Sequence, residues 1–220
     1  KNIDILQGEA KIISDSRVDV LFDNCTKQLE TKHIIIASGS MSASLSFINI
    51  DHHLIIDSND ALNLQEKPDN IVIIGGGAIG VEWARIFSAV GSQVTILEMA
   101  DKLLPSADKE ISEAVLKDFK RKKVSVILGS PVSNIDNSQN NLIVSLKNGD
   151  EIKTDKVLLS VGRVPCTHFF ENLSLDFEGK HLKVNQYMQT NIPSIYAIGD
   201  VVPTLQLAHV ATAEVFLAVD

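Results

Sequence analysis

Apolar and polar positions along the 220-residue chain fall into two rhythms. Residues 1 to 38 hold short apolar runs between polar turns (IDIL, AKII, VDVLF, HIIIA), each of strand length. A brief helix is expected from Asn59 to Leu64, and EKPDN (66 to 70) then supplies a polar, proline-containing break of the kind that links domains. NIVIIG follows, a continuous apolar run with no polar face, as in a parallel sheet covered on both sides. From Ala78 the spacing changes: Ile79, Val81, Trp83, Ala84, Ile86, Phe87 and Val90 describe a largely buried helix, stopped by Gly91. SQVTILE is the next strand and closes a βαβ unit. A second, amphipathic helix is expected to open at Ser106 or Ala107, with Ile111, Val115, Leu116 and Phe119 on its apolar face. VSVIL (124 to 128) returns as a strand. NSQNN (137 to 141) and NGD (148 to 150) mark turns between short alternating strands, and Asn148-Gly149 is a hairpin signal.

Strands alternating with helices predict an α/β fold built on a parallel sheet. An internal similarity refines this. TKHIIIASG (31 to 39) and TDKVLLSVG (154 to 162) share one form: Thr, two polar residues, three aliphatics, two small or variable residues, Gly. TNIPSIYAIG (190 to 199) is a looser version. Each is a strand whose C-terminal end presents a glycine, and ligands of open α/β sheets lie at that end. Three such strands suggest more than one nucleotide site.

The densest glycine cluster is Gly75, Gly76, Gly77, Ala78, Ile79, Gly80, lying between the apolar strand and the buried helix. Gly75-x-Gly77-x-x-Gly80 in that setting is the dinucleotide fingerprint: a tight turn, a close backbone approach to the pyrophosphate, and close packing of helix on strand. The helix start adds unpaired N–H groups and a partial positive charge. Glu98 ends the next strand, 18 residues beyond Gly80, where a carboxylate can accept hydrogen bonds from the adenosine ribose hydroxyls. A 2′-phosphate there would be repelled by about 4 kcal/mol per charge pair at ~4 Å and an effective dielectric near ~20. The following MADKLL holds no Arg to receive a phosphate, so NAD is favoured over NADP.

Composition excludes several other classes. A net charge of -8 with interspersed basic residues argues against nucleic-acid and anionic-membrane partners. The one basic run, KRKK at 120 to 123, ends a helical pattern and reads as a dipole-complementing terminus. No segment reaches the roughly 18 apolar residues of a membrane span, and KNIDILQGEA lacks signal-peptide organisation. A soluble protein of the cytoplasm is expected, or of the mitochondrial matrix if the source is eukaryotic. Cys25 and Cys166 are distant and lack metal-ligand or redox-pair spacing.

These pieces resemble the flavoprotein pyridine nucleotide-disulfide oxidoreductases, in particular their dihydrolipoamide dehydrogenase branch. The matching residues are TKHIIIASGS (31 to 40), IVIIGGGAIGVEWA (71 to 84), VTILEMADKLLPSADKEIS (94 to 112), VLLSVGRVP (157 to 165), TNIPSIYAIGDVV (190 to 202) and LAH (207 to 209). The resemblance implies a Rossmann-like, three-layer nicotinamide-binding domain, residues 67 to 166, inserted in a partial, discontinuous FAD-binding domain made of residues 1 to 66 and 167 to 220. It implies FAD and NAD as cofactors, lipoamide or a lipoyl domain as partner, and a homodimer as the full enzyme. By the same resemblance Asp200 bonds the flavin's ribityl chain, Gly39 and Ala208 contact FAD through the backbone, and Val132 and Gly162 contact NAD. Glu82 takes the catalytic position beside the flavin and nicotinamide rings. His209 reads as a packing residue.

The family's Ala-Thr-Gly stands here as Ala37-Ser38-Gly39, and Cys166 replaces an Asn. The family's N-terminal flavin fingerprint, its Cys-x-x-x-x-Cys pair and its C-terminal dimerisation domain are not among these residues. The chain is therefore expected to be a fragment, inactive toward lipoamide by itself. A mercuric reductase-like enzyme, an NADH oxidase and a stand-alone NAD-binding module are the alternative readings.

Overall fold

The computed structural model describes residues 3–23, 25–139, 141–170 and 173–219. The chain forms two compact units, one made of Lys1–Met41 with Val164–Asp220, the other of the intervening Ser42–Arg163.

The Ser42–Arg163 unit is built on a five-stranded parallel sheet. Its spatial order is Ile55–Ile56, Lys156–Leu159, Asn70–Ile74, Gln93–Leu97, Ser125–Ile127. Because side chains of a strand alternate between faces, its uniformly apolar strands must be covered twice. Ile71, Ile73, Ile96 and Leu158 pack with Ala84 and Phe87 of helix Ala78–Ala89 and Phe119 of helix Lys109–Arg121. Val72, Ile74, Leu97, Val157 and Leu159 pack on the other face with Leu142, Val144 and Leu146. Those three come from an antiparallel sheet of Val132–Gln139, Asn141–Leu146 and Glu151–Thr154. Helices, parallel sheet and antiparallel sheet make the three layers that the continuous apolar runs require.

Most local signals hold. Gly91 stops the first helix at φ +92°, and the basic run supplies Lys120 and Arg121 to the last turn of the second helix. Gly149 turns the hairpin at φ +93°. The second helix begins at Lys109 after an Asp108 cap, later than the expected Ser106 or Ala107. Of the NSQNN turn, Asn140 lies outside the described residues, and the strands extend to Gln139 and resume at Asn141. IDIL forms no strand. Ile3 and Ile5 are exposed, and no described strand pairs with them.

The chain crosses between units at 41/42 and 163/164, whereas the polar break EKPDN reads as the first boundary and the resemblance implies the second after Cys166. Ile48, Ile55, Ile56 and Ala61, from the segment ahead of EKPDN, belong to the cores of the central unit. EKPDN is an internal turn of that unit, with buried Pro68 accepting a 2.6 Å hydrogen bond from the Ser92 hydroxyl. Four apolar residues spread over this stretch carry too weak a period to show which core they join.

Helix Ser58–Leu62 in that segment is held by a capping box. Asp57 accepts from the N–H groups of Asn59 and Asp60, and Asp60 accepts from the N–H of Asp57. Burial, the largest influence on Asp57, pushes its carboxyl up, but the N–H and Ser42 hydroxyl donors together bring it below the usual 3.8. A depressed folded value means the contribution is complete above the unfolded value and fades as pH falls through the folded one. Asp57→Ala is expected to lower unfolding free energy by about 1 kcal/mol at neutral pH. The gap between the two proteins in urea titrations should narrow in acid, as pH falls from 3.8 through the depressed folded value. A gap that persists in acid refutes the charged-cap account.

The other unit joins residues far apart in sequence. Glu9–Ile12, Arg17–Phe22 and Cys25–Glu30 form an antiparallel sheet. Ile34–Ile36 pairs in parallel with Ile195–Ala197. Ile34, Ile36, Phe170, Leu182, Ile195, Val201 and Val202 share its core. Its last element is helix Ala208–Val219, on which Val215, Phe216, Leu217 and Val219 are exposed and Glu214 is buried. No described helix is long and apolar enough to cross a membrane, and no described cluster of His, Cys, Asp or Glu could hold a metal ion.

Candidate dinucleotide site

The site is the turn between strand Asn70–Ile74 and helix Ala78–Ala89, at the C-terminal edge of the parallel sheet. Gly75 still belongs to the ladder, its N–H donating to the Leu97 carbonyl at 2.8 Å, but it turns the chain at φ +109°. A Cβ on Gly75 would strike the carbonyl of Ser160, and one on Gly80 would strike the carbonyl of Gly75. These two glycines are therefore required by the protein's own packing. Gly77 differs: its φ is -73°, and nothing lies within 4 Å of where its Cβ would stand. The open face at the middle glycine is the approach a pyrophosphate needs.

Gly77 is also the N-cap of the helix and makes no side-chain cap bond. The first helical N–H groups, beginning at Ala78 and Ile79, have no intrahelical acceptor, because Val81 N–H is the first to reach back, to the Gly77 carbonyl. Donors and helix dipole thus face the open side together.

Glu98 stands at the end of strand Gln93–Leu97 and is 9% exposed. One carboxylate oxygen accepts from Gly76 N–H at 2.6 Å and the other from Ala100 N–H at 2.7 Å. The carboxylate braces the glycine turn from below. Each oxygen takes one of these bonds and has capacity for another, so ribose hydroxyls can be accepted without breaking the brace.

Ser160 is a site residue that the sequence did not single out. Its hydroxyl donates to the carbonyls of Ile74 and Gly75, each at 3.0 Å, and so ties the neighbouring strand to the turn. The form TDKVLLSVG, shared in outline with TKHIIIASG, carries it, but only the sheet order places it against Gly75. Two residues on, Gly162 is exposed at φ +115° with open space at its Cβ position. Val132 opens the first strand of the antiparallel sheet and packs in the core with Leu142 and Val144. Glu82 is exposed on the helix, one turn past Ala78.

The residues expected at a flavin lie in the other unit. Gly39 has φ +68° and accepts at its carbonyl from Cys166 N–H at 2.9 Å. Cys166, in the place of the family's Asn, works through its main chain: its carbonyl also accepts from the Ser38 hydroxyl at 2.7 Å. Asp200 lies in the short turn Gly199–Val201 and accepts from the Ser40 hydroxyl at 2.5 Å, which brings the two glycine-ended strands' termini together. Ala208 is exposed at the first position of the last helix, and His209 beside it is exposed rather than packed.

Parallel sheet, covering helices and glycine turn define a Rossmann-like α/β protein. Residues 1–214 match the family described as pyridine nucleotide-disulphide oxidoreductase, and the chain belongs to that family. It is an oxidoreductase family of flavoproteins. The chain is 38% identical over 221 residues to a dihydrolipoyl dehydrogenase of Bacillus subtilis, covering 98% of this chain and 48% of that protein. It is 36% identical over 223 residues to one of Acholeplasma laidlawii, covering 99% and 64%. Among solved structures it is similar to a HOCl-induced flavoprotein disulfide reductase of Escherichia coli, with TM-score 0.91 and 29% identity over 97% of this chain and 49% of that one. The chain therefore spans about half the length of several relatives that it matches.

Proposed function

We propose that the Ser42–Arg163 unit is the NAD-binding part of an FAD-dependent enzyme of the dihydrolipoyl dehydrogenase type. The observation that carries this reading is the open face at Gly77, directly beside a carboxylate already ordered at the strand end. On this reading the N–H groups at the start of the Ala78–Ala89 helix bind the pyrophosphate, and Glu98 accepts from the ribose hydroxyls while rejecting a 2′-phosphate. Gly162 lets the backbone approach the coenzyme at the next strand end. Glu82 faces the nicotinamide end of the site and carries the negative charge that an adjacent cation can pair with. In the other unit, Asp200 holds a ribityl chain, with Gly39 and Ala208 making close backbone contacts. The bound coenzymes supply hydride chemistry. The protein supplies placement and exclusion of water.

The name dihydrolipoyl dehydrogenase of the relatives supports a lipoyl group as the substrate of the whole enzyme; on our reading that group is lipoamide, free or on a lipoyl domain, and the whole enzyme works as a homodimer. The 220 residues alone contain only Cys25 and Cys166 as thiol groups, both free and far apart in sequence. They are expected to bind coenzyme without turning over lipoamide.

Calorimetric titration tests the central reading. NADH is expected to bind at least about tenfold more tightly than NADPH, since one extra charge pair against Glu98 outweighs the contacts a phosphate could add. Equal affinities for the two coenzymes, or no uptake of either, refute it.

A further inference from the structure

We infer that Glu214 is the positioning residue of the Gly199–Val201 turn, and through it of Asp200, for the flavin; this rests on the flavin assignment proposed above. Glu214 is 3% exposed, a rare state for a carboxylate unless its oxygens are matched. Both are matched. One accepts from Gly199 N–H at 2.6 Å and the other from the Thr204 hydroxyl at 2.6 Å. The last helix thus reaches back to hold the turn's main chain at Gly199, just before Asp200, and the hydroxyl of Thr204, just beyond the turn.

The grip is tight because the backbone lets it be. Gly199 has φ +73°, a left-handed conformation that glycine adopts without strain, and a Cβ there would meet the Ala211 methyl only at an ordinary contact distance of 3.6 Å. Ser40 steadies the Asp200 carboxylate directly at 2.5 Å. Glu214 steadies the main chain from which that carboxylate hangs. The two act on different atoms of one small turn, and a ligand bonded to Asp200 feels both.

The test compares Glu214→Ala with Glu214→Gln in the full chain, using FAD as the probe. Glu214→Ala is expected to weaken FAD binding about tenfold or more, because two hydrogen bonds to a charged group are lost. Glu214→Gln is expected to stay within about threefold, because its amide oxygen can accept from Gly199 N–H while its NH2 donates to Thr204. The visible circular dichroism of bound flavin should change in the Ala variant and return in the Gln variant, a rescue that general loss of stability does not give. Where Glu214→Ala does not fold, Thr204→Val takes its place, with a smaller loss and a spectral change of the same sign. Wild-type FAD affinity and spectrum in the folded variant overturn the inference. A wild-type chain that takes up no FAD overturns the flavin assignment instead.

Discussion

Gly80→Ala is expected to destabilise the protein by about 3 kcal/mol or more, while Gly77→Ala, three residues away, changes stability by no more than about 1 kcal/mol. The difference follows from what each added methyl would meet. At Gly80 it runs into the main-chain carbonyl of Gly75 and the hydroxyl of Ser160, both held in the sheet, so the helix must shift away from the strand. At Gly77 it enters open space at an ordinary φ of -73°, and the only folding penalty is that of replacing glycine at an N-cap. The order reverses for ligand binding. If the open face at Gly77 is where a pyrophosphate lies, its methyl group should weaken NADH binding about tenfold or more with the fold intact. Urea denaturation and calorimetry on the two variants read both effects. A stable Gly80→Ala protein refutes the packing account, and undiminished NADH affinity in Gly77→Ala refutes the coenzyme account.

Glu98→Gln is expected to cost about 2–4 kcal/mol, an unusual penalty for a nearly isosteric change. Each carboxylate oxygen of Glu98 accepts from a main-chain N–H, that of Gly76 or that of Ala100. An amide can satisfy one of them, and its NH2 must then face the other donor at a buried position. The same substitution removes the charge that disfavours a 2′-phosphate, so the preference for NADH over NADPH should narrow by about tenfold. Denaturant titration reads the first effect and paired coenzyme titrations the second. Wild-type stability in Glu98→Gln is incompatible with the double acceptor role. A coenzyme preference unchanged in the folded variant leaves Glu98 as a brace only and removes it from recognition.

The strand NIVII and the helix after it were legible because their periods are long and uninterrupted, and both faces of the strand found partners. Glu98 was legible as the acid ending the second strand, but its brace on Gly76 was not, since a carboxylate's acceptors and donors depend on where the turn brings the N–H groups. IDIL had the same apolar content as the real strands and became none, because a strand requires a neighbour and its pattern does not name one. Cys166 could be marked as a departure from the family's residue. That its main chain alone does the bonding to Gly39 and Ser38 could not.

Sequence by itself determined the alternating elements, the glycine turn with its acid at the next strand end, and the resemblance that orders them, because all of these are set by neighbours a few residues apart. Only the tertiary structure decided that Ser160 closes the turn, that residues 42 to 66 join the central core, and that Glu214 grips Gly199. The sheet order sets Ser160 against a residue 85 positions earlier, and the last helix carries Glu214 back over 15. Hydrogen-bonding partners across such separations are selected by packing, which no local period encodes.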